Sequence, residues 1–233
     1  MLCCMPGVAF VPALLVSWSS AAFIISYVIA VLAGHVEPLV PYISDTGTKP
    51  PESGVFGFMI NISALLASIT MYIRYLLIEK QNESSHFVRS SCNMLTLCVG
   101  LMGCTGMGIV ATFQELAVPS VHDIGALVAF GSGVLYITLQ SIISYKSCPR
   151  WNTYFVCHIR MAISVISCIA FITMIVFASK ISMTKIDWTP GEKVKSYLIA
   201  NLPCVILFGK CCYIYVKALQ TCQRLQIAHY HEQ

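Results

Sequence analysis

Three short groups of polar residues have the composition of chemical sites. Asp45-Thr46-Gly47 has the order of the aspartic-protease signature, a chemistry that needs two carboxylates sharing one proton. His35 and Glu37 are spaced as in the H-x-E motif of zinc deaminases, which also requires a P-C-x-x-C partner. The chain holds one copy of the first motif and lacks the second half of the other. We therefore predict no catalytic residue, no metal site and no cofactor, and we interpret the first motif as a turn in which Gly47 supplies a positive φ.

The third group is the adjacent pair His122 and Asp123, just after Pro119. The pair predicts a pH sensor, because the ordinary pKa of a histidine side chain is about 6.5. The alternative is that Asp123 serves as the N-cap of the helix that follows.

The elements that must position these groups are membrane-spanning helices. Of the 233 residues, 57% are hydrophobic and 10% charged, whereas a soluble domain carries about 25% charged residues. A helix needs roughly 20 mostly apolar residues to cross the hydrocarbon of a bilayer. Six runs qualify, at about 8–32, 55–78, 94–113, 124–145, 159–179 and 198–216. We predict an all-α, polytopic membrane bundle that takes in residues 1–233 as a single unit, with the lipid bilayer as its partner.

The distribution of Lys and Arg predicts the orientation of the bundle, because cytosolic loops are enriched in these residues. If both termini are cytosolic, the cytosolic side carries Arg74, Lys80, Arg89, Lys146, Arg150, Arg160, Lys217 and Arg224. The opposite side carries Lys49, Lys180, Lys185, Lys193 and Lys195. The net charge of +4 is too small and too scattered to predict nucleic-acid binding. The sixth run is the weakest, since it contains Pro203 and Lys210.

Charged and sulfur-containing residues near the helix ends have simple expected roles. We expect Arg74 and Arg160 to snorkel towards the membrane surface or to act as anchors at the interface. The predicted outer loops contain no cysteine, so no disulfide is expected there. Five cytosolic-side cysteines are candidates for palmitoylation, namely Cys3, Cys4, Cys148, Cys157 and Cys222.

Small residues recur every four positions in the third and fourth runs, a pattern that lets helices approach closely. The third run carries Gly100, Cys104 and Gly108, and the fourth carries Gly125, Ala129 and Gly133. Because the link between the two runs is short, we predict an antiparallel hairpin packed through these faces.

The first loop has a distinctive composition. We predict a recognition loop made of Pro41, Tyr42, Ile43, Ser44, Asp45, Thr46, Gly47, Thr48, Pro51 and Glu52. Its closely spaced prolines restrict the backbone, and loops on a rigid scaffold often carry function. The alternative is a lid that only ties the first two helices together.

The stretch from Pro41 to Thr48, followed by Pro50-Pro51-Glu52-Ser53-Gly54, resembles the first-loop signature of the damage-regulated autophagy modulator family. Other segments also resemble parts of that family. Among them are residues 18–27 in the first run and residues 140–149, which begin in the fourth. The resemblance covers about residues 1–193, and residues 194–233 do not follow the family pattern.

The resemblance implies a non-enzymatic, six-span protein of the lysosomal membrane. It implies a role in promoting autophagy and in tumour-suppressor-induced apoptosis, through protein partners of the autophagy machinery that it does not identify. A second hypothesis is a transporter or lipid-handling accessory protein of the lysosomal or endosomal membrane. A third, a membrane enzyme, would need a site among the polar groups of the loops.

Overall fold

The chain forms a bundle of long helices. The computed structural model describes residues 10–36 and 44–184, with side chains described as far as residue 176. Within this part of the chain lie five α-helices and a short 3-10 turn, with no β-strand. The helices are α1 (Phe10–Leu32), α2 (Glu52–Ser85), α3 (Ser90–Thr112), α4 (Pro119–Lys146) and α5 (Tyr154–Thr184). The 3-10 turn spans Asp45–Gly47.

All five helices are long and apolar enough to cross a membrane. Helices are required here because every backbone amide in hydrocarbon must find its partner within the protein. The predicted all-α membrane bundle is therefore confirmed. The predicted sixth span, 198–216, lies outside the described residues.

Helix α2 is longer than the apolar run that predicts it. The run covers 55–78, whereas the helix has 34 residues and ends at Ser85. At about 1.5 Å per residue its length is about 51 Å, against about 30 Å for the hydrocarbon layer. Its last turns are polar, with Lys80 Nζ 2.8 Å from Glu83 Oε2 on the exposed surface. Hydropathy marks the part of a helix that lies in lipid and misses a polar extension.

Consecutive helices are antiparallel neighbours. Trp18 Nε1 in α1 donates to the Met59 carbonyl in α2 at 2.9 Å, and Ser19 Oγ donates to Ser63 Oγ at 2.8 Å. At the other side of the bundle, the hydroxyls of Thr138 in α4 and Ser164 in α5 lie 2.7 Å apart. Such bonds between transmembrane helices are worth about 0.6–2 kcal/mol each.

This arrangement gives the bundle two ends. The first-loop end is formed by the α1–α2 and α3–α4 connections, and the second-loop end by the α2–α3 and α4–α5 connections.

Helices α3 and α4 approach closely through glycines. A Cβ added to Gly106 would lie 2.6 Å from the Ala129 nitrogen and 2.8 Å from the Gly125 carbonyl oxygen. A Cβ on Gly125 would lie 2.7 Å from Ile109 Cγ2. The backbones of the two helices are therefore close enough to exclude any side chain at Gly106.

The side of α3 that meets α4 differs from the predicted one. A Cβ on Gly108 would meet only Asn61 of α2, at 3.4 Å, and a Cβ on Gly100 would meet Met71 of α2 as well as Tyr136 of α4. Gly103 and Gly106 face α4 instead, with the Gly133 nitrogen 3.6 Å from a Cβ placed on Gly103. Small residues occur on several sides of α3, so spacing alone cannot select the side that packs.

Candidate functional site at the first-loop end

The segment before α2 folds as a tight turn. The Gly47 amide donates to the Ser44 carbonyl at 3.0 Å, and Thr48 Oγ1 donates to the Asp45 carbonyl at 2.9 Å. The polar groups of this segment thus satisfy the local backbone, as the turn interpretation predicts. Asp45 lies in a helical turn rather than in a β-lobe of the protease type.

Gly47 is needed for close packing. The positive-φ glycine among the described residues is Gly34, so the predicted positive φ at Gly47 is wrong. A Cβ on Gly47 would lie 2.6 Å from Cδ1 of Phe56. Phe56 belongs to the buried cluster with Ala22 of α1, so the turn rests directly on the α1–α2 core.

The side chains of His35 and Glu52 form a close polar contact across the first loop. His35 Nδ1 lies 2.5 Å from Glu52 Oε1. Glu52 is completely buried, whereas the His35 side chain is about a quarter exposed. Burying a carboxylate is costly unless it is paired, so this contact connects the segment that follows α1 to the residue that begins α2.

The second carboxylate oxygen of Glu52 has no hydrogen-bond partner although it is buried. Glu52 also lies in the first turn of α2, where the partial positive charge of a helix N-terminus stabilises a negative side chain. Over residues 10–36 and 44–184, no group of three or more His, Cys, Asp or Glu side chains could hold a metal ion.

The sequence motifs do not reveal this pair. They match His35 with Glu37, two positions away, whereas the true partner is 17 positions away. The sequence does contain one indication of this contact, because both residues lie near the boundaries of the first loop. A loop that connects two antiparallel helices must bring its two ends together.

The predicted recognition loop divides into an inward and an outward part. Thr46, Gly47 and Glu52 are buried, and Ser44, Asp45 and Thr48 are partly buried. Lys49, Pro50 and Pro51 are exposed. Pro41, Tyr42 and Ile43 lie outside the described residues. Of the described residues 44–52, the stretch 49–51 is therefore the part that is exposed to a partner.

His122 and Asp123 lie at the same end of the bundle but face different surroundings. His122 is buried, and its Nδ1 lies 2.8 Å from the Phe113 carbonyl oxygen at the end of α3. Asp123 is exposed. Helix α4 begins at Pro119 after Val118, without a side-chain cap, so the alternative that Asp123 is the N-cap is wrong. The contact of His122 closes the α3–α4 connection, and its pH-sensing role stays a prediction.

At the second-loop end, two arginine side chains are buried in the bundle. Arg74 is 7% and Arg160 is 5% exposed. Arg74 Nε donates to Gln140 Oε1 at 3.3 Å, and the Arg160 guanidinium donates to the Ser144 hydroxyl. Both side chains therefore have polar acceptors on α4, and their expected role near the membrane surface stays a prediction.

Most of the chain is similar to a known protein family. The family described as the Frag1/DRAM/Sfk1/Cwh43P N-terminal domain matches residues 7–222. This match continues past Lys193 into the stretch predicted to diverge.

Three curated relatives share the name "DNA damage-regulated autophagy modulator protein 1". Those of Mus musculus and Homo sapiens are each 62% identical over 211 residues, which is 90% of this chain and 89% of the relative. That of Xenopus laevis is 56% identical over 208 residues, 88% of this chain and 87% of the relative. No solved structure matches the chain significantly.

Proposed function

This chain belongs to the Frag1/DRAM/Sfk1/Cwh43P family, as its first-loop resemblance predicts, and from that membership we propose that it modulates autophagy. The observation that carries the proposal is the 62% identity, over 90% of the chain, to proteins named as autophagy modulators. Identity at this level over nearly the whole length favours a shared role. The proposed role is non-enzymatic and acts through protein partners of the autophagy machinery.

We further propose that the protein is located in the lysosomal membrane, with both termini in the cytosol and the first loop in the lumen. The charges of the described helices support this orientation. The second-loop end carries Arg74, Lys80, Arg89, Lys146, Arg150 and Arg160, whereas the first-loop end carries Lys49 and Lys180. A contribution to apoptosis is part of the same proposal and follows from the family resemblance.

In this orientation the exposed stretch 49–51 faces the lumen, and the contact between His35 and Glu52 holds it in place. The inward residues of the loop serve as an anchor, and the outward residues make contact with a lumenal partner. The proposal thus combines the two hypotheses from the sequence. The inward residues tie the first two helices together, and the outward residues carry recognition.

The proposal is tested by expressing the full chain in cultured cells and measuring the lysosome-dependent turnover of an autophagosome membrane marker. Turnover is the difference in marker level with and without an inhibitor of lysosomal acidification. We expect the chain to increase turnover relative to empty vector. Unchanged turnover in cells whose lysosomal membranes contain the chain would contradict the proposed function.

The alternative function, transport or lipid handling, is tested separately with the purified protein in liposomes. Flux of small solutes or transfer of labelled lipid above that of protein-free liposomes would favour the alternative over the modulator role.

A further inference from the structure

Two cysteine thiols face each other at the second-loop end. Cys148 follows the end of α4, and Cys157 lies in the first turn of α5. Their sulfur atoms are 3.0 Å apart, and both residues are free cysteines. A disulfide bond has a length of about 2.05 Å, so about 1 Å of approach separates this pair from a covalent bond.

The surroundings hold the two thiols in this position. Both point at one acceptor, the Ser144 carbonyl oxygen, at 3.5 Å from Cys148 Sγ and 3.3 Å from Cys157 Sγ. The connection between the helices is itself fixed by hydrogen bonds. Asn152 Nδ2 donates to Ser147 Oγ at 2.5 Å, and Trp151 Nε1 donates to Ser85 Oγ of α2 at 3.0 Å. These hydrogen bonds hold the connection in the conformation that places the two sulfur atoms 3.0 Å apart.

The two thiols differ in their access to solvent. Cys157 is completely buried, whereas Cys148 is partly exposed. A dissolved oxidant can reach Cys148 first, and Cys157 is then the nearest nucleophile. Redox-sensing cysteines share this arrangement of an accessible thiol next to a resolving thiol.

We propose that Cys148 and Cys157 are a redox modification site, in which a peroxide converts the thiol pair to a reversible disulfide between α4 and α5. This chemistry does not depend on the proposed role in autophagy. In the proposed orientation the pair faces the cytosol, whose reducing conditions maintain the dithiol, and cytosolic disulfides are typically transient and regulatory.

The reaction has two balanced steps. The Cys148 sulfur attacks one oxygen of hydrogen peroxide, the O–O bond breaks, and the products are Cys148 sulfenic acid and one water. The Cys157 sulfur then attacks the Cys148 sulfur, the S–O bond breaks, and the departing hydroxide takes the Cys157 proton as a second water. The two thiols lose two electrons and the peroxide gains them. A cytosolic dithiol reverses the reaction by thiol–disulfide exchange.

The disulfide would link the end of α4 to the first turn of α5 and so prevent these helices from separating at the second-loop end. The palmitoylation predicted for Cys148 and Cys157 is incompatible with this bond at the same time. An acyl chain on Cys148 would consume the accessible thiol.

Proteolysis gives a direct test, because Arg150 lies between the two cysteines. Cleavage after Lys146, Arg150 and Arg160 places Cys148 in peptide 147–150 and Cys157 in peptide 151–160. Membranes with the full chain are treated with hydrogen peroxide, quenched in acid, denatured, alkylated and digested with trypsin. We expect a peptide pair joined by a disulfide, lighter by two hydrogen atoms than the sum of its parts, that disappears on reduction.

Two variants make the result specific. Cys148→Ser should abolish the joined pair and leave Cys157 alkylated, while Cys98→Ser, an exposed cysteine of α3, should leave the pair intact. Recovery of both peptides in alkylated form, at a peroxide dose that oxidises Cys92 or Cys98, would overturn the proposal. Recovery of Cys148 with a hydroxylamine-sensitive acyl chain would also overturn it. The wild-type measurement decides the matter even if a variant does not fold.

Discussion

His35 Nδ1 lies 2.5 Å from Glu52 Oε1, so the chain leaving α1 is fastened to the first turn of α2. The contact lies beside the turn at residues 44–48, whose Gly47 packs on Phe56 of the α1–α2 core. Removing either partner therefore affects the bundle as well as the loop.

We predict that His35→Ala destabilises the protein more than Glu52→Gln. The first change leaves a buried carboxylate without its partner, at a cost on the order of 1–3 kcal/mol. The second removes the charge together with the need to compensate it, and the amide can still bond to His35. Thermal unfolding in detergent would show the larger fall in Tm for His35→Ala. Lys49→Ala, exposed on the same loop, is the matched control. A larger loss for Glu52→Gln would contradict this account of the pair.

We predict opposite effects of alanine at two glycines of α3. Gly106→Ala places a methyl group 2.6 Å from the Ala129 nitrogen, so the helices must separate. Overpacking of this kind costs about 1–3 kcal/mol. Gly108→Ala meets only Asn61 at 3.4 Å and gains up to about 1 kcal/mol of helix propensity. The melting temperatures of the two variants test the packing, and equal values would refute the close contact of α3 with α4.

Substitutions in the inward and outward parts of the first loop should have different effects in cells. Lys49→Glu reverses an exposed charge, so we expect lower autophagic turnover at an unchanged protein level. Glu52→Ala removes a buried anchor, so we expect the protein level itself to fall. Immunoblotting and marker turnover, measured in the same cells, test both. A normal level and reduced turnover for Glu52→Ala, with Lys49→Glu fully active, would reverse the assignment.

The proposed orientation predicts the exposure of tags at both termini. In intact lysosomes, added protease should remove an epitope tag from either end, because both ends face the cytosol. A tag inserted beside Lys49 should be cleaved only after the membrane is permeabilised. Protection of the C-terminal tag alone would indicate an odd number of spans and would exclude insertion of 198–216 as a sixth helix.

Hydropathy predicts most of the helices of the fold, but it does not predict the contacts of the candidate site. The first five apolar runs each correspond to a described helix, because burying 20 or so residues in lipid leaves the backbone few other choices. Hydropathy does not predict the polar C-terminal turns of α2. The α4-facing side of α3 is also ambiguous, since Gly100, Gly103, Gly106 and Gly108 place small residues on more than one side.

The contacts that sequence reasoning misses are tertiary ones. His35 and Glu52 meet only because antiparallel helices bring the two ends of their loop together. Arg160 turns inwards because the Ser144 hydroxyl lies within its reach. No periodicity within a single run encodes these pairings, because each joins residues from two different elements.

The central claim, that this membrane bundle modulates autophagy, is tested most directly by rescue. Cells that lack their own family member are given the full chain at a matched level, and lysosome-dependent turnover of the autophagosome marker is measured under starvation. The account predicts that the wild-type chain restores turnover. Gly106→Ala should restore turnover only in proportion to the level at which the variant protein survives. Turnover that remains at the level of the deficient cells, while the wild-type chain is present in their lysosomal membranes, would contradict it.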